Sequence, residues 1–294
     1  MGLRIKTNVG SLKAQRNLGN TNTRMEDNIT KLSSGHRINK SADDAAGLAI
    51  SATMYSKIRS STQAKRNAND GISMIQVAEG SFNEITNIMV RLRELSIQSA
   101  SDTVGDLERS FANKEYVELV DEIDRIANST EFGGYKLLKG ADANEGLDTL
   151  NFHISAGDDS IENRDSILVD IESIKIDSGD VLGLGKGAEV GPMEADGDFN
   201  REASTEKLKV LDDAMNKVAG FRANLGAKQS RLMSTVQNLG VVIENLETSR
   251  SRIQDVDFAS ETAKLTQNRI LGQSGVSVLA QGNSQPEQVL GLLR

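Results

Sequence analysis

The sequence predicts a mainly α-helical protein: an elongated coiled-coil helical bundle formed by the N-terminal and C-terminal segments, with a small β-hairpin region inserted in the middle. Three observations predict this fold class. Aliphatic residues recur at heptad spacing in both halves of the chain, as they do in helices that pack along a seam. Proline occurs only twice in 294 residues, so long helices can run uninterrupted. Near the middle, apolar and polar residues alternate as in strands.

Composition narrows the class of protein further. Aromatic residues make up 3% of the chain and tryptophan is absent, which suits helices that pack through small and aliphatic side chains. The lack of cysteine excludes disulfides, thiolate metal sites and a cysteine nucleophile. No apolar run resembles a signal peptide, and none reaches the roughly 18 residues that a membrane span requires. We therefore expect neither a cleaved signal peptide nor a membrane span.

The first half of the chain predicts three helices. Residues 1–34 carry large apolar side chains at a helical period, and a long helix is expected from about Asp44 to Ser101. Two heptad series mark the buried face of the long helix: Ile75, Phe82 and Met89, and Ala78, Ile85 and Leu92. A third helix is expected from about Asp106 to Ser129, with apolar side chains three and four residues apart: Phe111, Val117 or Leu119, Val120, Ile123 and Ile126.

The middle of the chain, residues 140–204, has a different pattern. Apolar and polar residues alternate around Phe152, and the same alternation returns around Val169 after a turn-forming stretch. This pattern predicts a β-hairpin. The glycines and acidic residues that follow predict an exposed acidic loop region.

The second half predicts one very long helix and one terminal amphipathic helix. A large aliphatic residue stands at every seventh position of a coiled-coil seam: Leu211, Val218, Leu225, Leu232, Leu239, Leu246 and Ile253. Residues 257–281 carry apolar residues at a helical period, as residues 1–34 do. Neither terminal segment has a core of its own to cover its apolar face. Either the two segments pair with each other, or another subunit covers them.

A charged connector, LSSGHRINKSADDAAGLAIS, joins the first two predicted helices. His36 with Asp43 and Asp44 could form an acid–base set or a metal site, but adjacent carboxylates on a helix point about 100° apart and do not converge. The structural alternative is that Gly35 ends the first helix in a left-handed conformation, and that the two aspartates bind free N–H groups in the first turn of the next helix. The structural interpretation is favoured.

No other segment predicts chemistry. The acidic fragments Asp142-Ala-Asn144 and Asp196-Gly-Asp198 lack the spacing of a calcium-binding loop. The basic N-terminal segment has no interleaved aromatic residues that would indicate nucleic-acid binding. We therefore predict no catalytic, cofactor-binding or metal-binding residues and no cofactor. The expected protein is not an enzyme, and it binds neither nucleic acid nor a membrane.

Four segments of the chain resemble bacterial flagellin: MGLRIKTNVGSLKAQRNL, LSSGHRINKSADDAAGLAIS, QAKRNANDGISMIQVAEGSFNEITNIMVRLRELSIQSA and LGAKQSRLMSTVQNLGVVIENLETSRSRIQDVDFASETAKLTQNRILGQ. They lie at both ends of the chain and in the family's order. The middle of the chain is too small to contain the outer domains of larger flagellins. The resemblance therefore implies a short flagellin without large outer domains.

The resemblance also implies a division into domains. Residues 1–42 plus 256–294 would form a terminal coiled-coil domain that lines the filament channel. Residues 43–255 would form a rod domain of long helices, with residues 140–204 as its β-hairpin and acidic loop region.

The implied function is that of a structural subunit that polymerises into the bacterial flagellar filament for swimming motility. A flagellar hook–filament junction protein is the nearest alternative. The implied partners are other copies of the chain, the flagellar export apparatus, a flagellin chaperone, the filament cap and the hook-junction proteins. Type III export would explain the lack of a cleaved signal peptide, and it implies an extracellular location in the flagellum filament.

One set of site residues follows from the resemblance alone. In flagellins that vertebrate hosts sense, an Arg, a Leu and a Glu contact the flagellin-sensing Toll-like receptor, and the matching residues here are Arg91, Leu95 and Glu115. Val90 replaces the polar residue that is usual before this Arg. Packing between protofilaments is the alternative role for these positions.

A second set belongs to the connector. The resemblance places Gly35, Arg37, Asp43 and Asp44 at the junction between the two domains. It implies that their charges contact neighbouring subunits and not a substrate.

Overall fold

The computed structural model describes residues 8–140, 148–155, 166–171, 174–176, 182, 184 and 201–292, without the side chains of 201–206 and 285–292. The described residues form five helices and two antiparallel hairpins. The helices are α1 Val9–Ser34, α2 Ala45–Ser99, α3 Asp106–Ser129, α4 Arg201–Gln254 and α5 Phe258–Leu292. The strands are β1 Glu131–Phe132, β2 Tyr135–Lys136, β3 Thr149–His153 and β4 Ser166–Asp170. The predicted class, a mainly α-helical bundle with a small β region, is confirmed.

The chain forms two compact units. One comprises Met1–Ile58 with Glu244–Arg294, and the other comprises Arg59–Ile243. The chain passes from one unit to the other twice, once within the long helix α2 and once within the long helix α4. The functional division into a channel-lining domain and a rod domain stays a prediction.

The core of the Arg59–Ile243 unit lies between α2, α3 and α4. All six residues of the two predicted α2 heptad series are at most 1% exposed. On α4, the seam is buried from Leu211 to Leu232, while Leu239 is only half-buried. The heptad pattern therefore identified the packed faces of both long helices, because burial of aliphatic side chains stabilises the helices most along one stripe.

The third helix has the predicted bounds, and four of its predicted apolar positions contact the core: Val120 and Ile123 are buried, and Leu119 and Ile126 are partly buried. Phe111 is 58% exposed, although its spacing suggested a core position. The residues that pack inward are Ala112, Tyr116, Val120, Ile123 and Ala127. Ala112 and Tyr116 therefore occupy inward positions in the first half of the helix, where side-chain size alone favoured Phe111.

The predicted β-hairpin is confirmed as β3 and β4, which pair in register from Thr149 opposite Asp170 to His153 opposite Ser166. Asn67 on α2 donates a hydrogen bond to the His153 carbonyl at 2.9 Å, and Lys228 on α4 donates to the Leu168 carbonyl. These polar contacts attach the hairpin to both long helices. The two acidic fragments named above lie outside the described residues.

A second, shorter hairpin was not predicted. Strands β1 and β2 join through Gly133 and Gly134, whose φ angles are 61° and 88°. Two consecutive left-handed residues make the tight turn that hairpins prefer, and glycine adopts them without a steric penalty. The consecutive glycines were the feature of the sequence from which this hairpin could have been predicted.

Candidate functional site

The connector after α1 is bound to the link between α4 and α5. Gly35 has a φ of 71° and donates its N–H to the Lys31 carbonyl at 2.9 Å, which ends α1. The Gly35 carbonyl accepts the Val256 N–H at 3.0 Å, and the Arg37 N–H donates to the Gln254 carbonyl at 2.7 Å. The Arg37 guanidinium donates to the Ile253 carbonyl at 2.6 Å. Arg37 thereby satisfies carbonyls at the end of α4 that have no partner within the helix.

The two aspartates precede α2 and both bind backbone N–H groups, but only Asp44 binds one in the first turn of the helix, as predicted for both. Asp43 accepts from the N–H groups of Asn39 and Lys40, each at 3.0 Å, and these two bonds hold the pKa of Asp43 below its ordinary value. Asp44 accepts the Gly47 N–H at 2.9 Å and thus caps α2. Asp43 thus binds backbone within the connector, and Asp44 alone caps the helix.

This arrangement is not that of a reaction centre. The carboxylates of Asp43 and Asp44 are each bound to backbone donors of different segments, so they do not converge on one point. His36 lies 3.4 Å from Asp255, on the opposite link, and both side chains are about half exposed. Across the described ranges, no three His, Asp or Glu side chains are grouped as a metal ion would require. The role of Gly35, Arg37, Asp43 and Asp44 as an inter-domain junction stays a prediction.

Helices α1 and α5 pack antiparallel, so the two terminal segments pair with each other. This outcome corresponds to the first of the two alternatives that the sequence left open. The contacts include a hydrogen bond from Asn8 to the Gly282 carbonyl at 2.8 Å and one from Ser11 to Asn283 at 2.8 Å.

The contact face of this helix pair is unexpectedly polar. Ser11, Asn28 and Glu261 are each less than 9% exposed. Asn28 donates to the Glu261 carboxylate, and Asn268 donates to the Asn28 side-chain carbonyl at 2.8 Å. These residues were not predicted from the sequence, because polar side chains in an amphipathic pattern ordinarily mark the solvated face.

The charge of Glu261 is stabilised where it is buried. Burial acts to raise the pKa of Glu261, but the hydrogen bonds from Asn28 and Lys264 and the nearby charges of Lys264 and Lys31 outweigh that effect. The net result is a pKa below the ordinary value. Glu261 is therefore a carboxylate at neutral pH and an acceptor for both partners.

Large apolar side chains lie on the outer faces of α1 and α5. Three on α1 and five on α5 are 48–58% exposed: Val9, Leu12, Ile29, Phe258, Ile270, Leu271, Val276 and Val278. Phe258, Ile270 and Leu271 line a groove of about 820 Å³ along α5. Several of the apolar positions that predicted these helices therefore face away from the partner helix.

Among the described residues, every helix is too short or too polar to cross a lipid bilayer.

The three residues matched to the receptor contact lie together, with unequal exposure. Arg91 on α2 contacts Glu115 on α3 at 2.7 Å and Glu94 at 3.1 Å. The bonds to Glu115 and Glu94 raise the pKa of Arg91. Leu95 is 2% exposed and belongs to the core. Only Arg91 and Glu115 thus present polar atoms to solvent, and the receptor contact stays a prediction.

Family models match both ends of the chain. Residues 5–143 match the bacterial flagellin N-terminal helical region, and residues 208–293 match the bacterial flagellin C-terminal helical region. The chain belongs to the bacterial flagellin family. These two regions contain α1 to α3 and α5 in full, together with nearly all of α4, so the family match extends over the helical framework described above.

The chain is also similar to flagellar proteins over nearly its whole length. This flagellin is 41% identical over 295 residues to the flagellar filament 33 kDa core protein of Treponema phagedenis, with 99% of both chains covered. It is 40% identical over 309 residues to the flagellin of Bacillus subtilis strain 168, covering 99% of this chain and 100% of the relative. The predicted function as a structural subunit of the flagellar filament is confirmed, as is the short form of the family.

The fold is also similar to that of a solved structure. A putative flagellar hook-associated protein from Vibrio parahaemolyticus aligns with a TM-score of 0.58 over 72% of this flagellin and 100% of that chain. The two sequences are only 14% identical, so this likeness concerns the fold and not the function.

Proposed function

We propose that this flagellin polymerises through the outer face of its α1–α5 pair, and that the occupant of that face is the same pair in neighbouring copies of the chain. The eight half-exposed apolar side chains on the two helices are the observation that supports this assignment. Family membership specifies the occupant, because a filament subunit must contact its own copies.

The magnitude of apolar burial favours this surface for assembly. Each of these side chains is already about half covered, so complete burial would contribute about 1 kcal/mol per residue. Summed over eight residues in every subunit, the gain is several kcal/mol for each subunit added. An apolar surface of this kind would lower the solubility of a separate subunit. In the polymer, neighbouring copies of the chain would cover it.

The connector supplies a second type of contact. Charges of both signs line a cleft of about 560 Å³ beside it, among them Lys31, Arg37, Asp43 and Lys264. A mixed cleft of this kind suits complementary charges on another copy of the chain. In this proposal, residues 1–42 plus 256–294 line the filament channel, and residues 43–255 form the surrounding rod.

We propose the remaining partners by resemblance to the family. The chain would leave the cell through the flagellar export apparatus after release from a flagellin chaperone. It would then add beneath the filament cap, beyond the hook-junction proteins, and function outside the cell. Arg91 and Glu115 form an exposed polar pair that a Toll-like receptor could contact.

Electron microscopy of the purified chain under polymerising conditions tests the proposal. We expect long helical tubes from the full chain. A variant without residues 1–40 and 257–294 should give only a soluble helical monomer by sedimentation and circular dichroism. Tubes formed by this truncated variant would contradict the assignment, and short, self-limited assemblies of the full chain would indicate a junction protein.

Point variants on α5 provide a finer test. Ile270→Asp places a charge on the outer face and should raise the critical concentration for polymerisation by roughly tenfold or more, because it replaces apolar burial by a buried charge. Ile270→Val retains an apolar side chain and serves as the matched control. Equal critical concentrations for Ile270→Asp and Ile270→Val would show that this face is not the assembly surface.

A further inference from the structure

The seam between α1 and α5 has the spacing of a coiled coil but little of its usual composition. The inward positions on α5 recur at heptad spacing and are buried or half-buried: Glu261, Leu265, Asn268, Gly272, Gly275 and Leu279. Those on α1 are similar: Ser11, Ala14, Leu18, Thr21, Met25 and Asn28. Large aliphatic side chains occupy fewer than half of these positions. Hydrophobic contact at this seam is therefore weak and unspecific.

Apolar contact alone would permit the two helices to slide. Leu18 lies beside Gly275, where a β-carbon built on the glycine would be 3.3 Å from the leucine Cδ1. A shift of one heptad would move Leu18 to Gly282, another glycine, at little cost in packing. Because the hydrophobic effect has no direction, it distinguishes such registers poorly when both place Leu18 beside a glycine.

We propose that a polar clasp, formed by Asn28, Glu261 and Asn268, specifies the register of the α1–α5 pair. In the observed register, Asn28 donates to Glu261 and accepts from Asn268, so both polar ends of its buried amide are satisfied. A shift of one heptad in one direction would place Asn28 opposite Gly272. The opposite shift would place it near Phe258, with Glu261 opposite Met25.

Either shift would break the bond between Asn28 and Glu261 and the bond between Asn268 and Asn28, while Lys264, on the same helix as Glu261, would keep its contact with the carboxylate. A buried amide or carboxylate that loses a hydrogen-bond partner destabilises the pair, whereas replacement of a whole buried polar set by apolar residues is often tolerated. A buried asparagine fixes the register of coiled coils in this way. The contacts from Asn8 and Ser11 at the other end of the pair belong to the same register.

The register has a consequence for assembly, and this part rests on the proposed function. A one-heptad shift moves α1 along α5 by about 10 Å. Ile29 on the outer face would then align with a different set of α5 side chains. The clasp would therefore determine the apolar pattern that each copy presents to its neighbours.

Disulfide trapping tests the register directly, since the native chain has no cysteine and gives no background. Leu18→Cys with Gly275→Cys reports the observed register, because a β-carbon at Gly275 would lie 4.0 Å from that of Leu18, within the disulfide range. Leu18→Cys with Gly282→Cys, and Ala14→Cys with Gly272→Cys, report a shift of one heptad in either direction. Non-reducing electrophoresis separates intramolecular from intermolecular products.

We expect only the first cysteine pair to cross-link within a chain that retains the clasp. In the apolar variant Asn28→Leu, Glu261→Leu, Asn268→Leu, the shifted reporters should cross-link roughly tenfold more than they do with the clasp present. The control variant Asn20→Leu, Gln273→Leu adds leucines at exposed positions and should retain the original pattern. Unchanged cross-linking in the apolar variant would overturn the proposal, as would absence of the first cross-link from the original background.

A separate measurement distinguishes this proposal from the proposed function. Sedimentation of the same samples reports polymerisation independently of cross-linking. A chain that fails to polymerise but cross-links in one register contradicts only the proposed function. A chain that polymerises equally well with and without a fixed register contradicts the consequence for assembly.

Discussion

Gly71 on α2 lies directly against the ring of Phe152 on β3. A β-carbon built at Gly71 would be 3.3 Å from the Phe152 Cγ and Cδ1 atoms, and also 3.3 Å from Leu232 on α4. Gly71 is itself buried. The glycine thus permits the hairpin to approach the two long helices at a point where any side chain would intervene.

Gly71→Ala should destabilise the protein despite the higher helix propensity of alanine. Alanine would gain about 1 kcal/mol in an α-helix, but overpacking typically costs about 1–3 kcal/mol. Gly80 on the same helix has nothing within 4 Å of its hypothetical β-carbon, so Gly80→Ala should stabilise the protein. Urea unfolding of both variants measures the difference, and an equal gain for both would contradict the tight contact.

Glu261→Gln should change how stability depends on pH. The pKa of Glu261 in the folded chain lies below its ordinary value of 4.5. Its charge therefore contributes stability that is present above about pH 4.5 and is lost as the pH falls through the folded-state pKa. We expect the variant to be less stable at pH 7 and to approach the parent protein in acid.

Thermal unfolding between pH 7 and pH 3 provides the measurement. Glu26→Gln, at an exposed position on α1, is the control and should give a curve parallel to that of the parent. A Glu261→Gln curve that is parallel to the parent curve at every pH would show that the buried carboxylate does not contribute in this way.

Tyr116→Phe should leave stability unchanged or raise it by up to about 1 kcal/mol. The ring is fully buried, and among the described residues the hydroxyl has no hydrogen-bond partner. Burial raises the pKa of Tyr116 from 10.0 to about 12. The unfolded chain therefore releases this proton first, and stability should fall as the pH rises above 10.

Removal of the hydroxyl should reduce that alkaline loss. Denaturant unfolding at pH 8 and pH 11 tests this prediction. Tyr55→Phe, at a side chain that is 47% exposed, is the control. A large loss of stability for Tyr116→Phe at pH 8 would indicate that the hydroxyl has a partner after all.

Asp44→Ala should cost about 1 kcal/mol, because it removes the N-cap of α2. Asp44→Asn keeps the cap and removes only the charge, so its effect on the monomer should be small. The double variant Asp43→Ala, Asp44→Ala should in addition weaken the polymer. Thermal depolymerisation of filaments measures that effect, and filaments of unchanged stability would show that the connector matters less for assembly than proposed.

The sequence alone determined the helical framework. The heptad series on α2 and α4 predicted the two longest helices and most of the core between them, because a large, continuous apolar stripe has one stable orientation. Alternation around Phe152 predicted the β3–β4 hairpin for the same reason. Gly35 marked the end of α1 by local chemistry alone.

Tertiary structure decided the remaining features, which depend on partners that are distant in sequence. On α1 and α5 the inward face contains Asn28 and Glu261, which are 233 residues apart, while apolar residues such as Ile270 face outward. Periodicity measures only amphipathicity, and it cannot show that a polar residue will find a buried partner on another helix. The same limit applied to Phe111 and to the contact of Gly71 with Phe152. In each case the deciding free energy comes from a contact that exists only after the chain has folded.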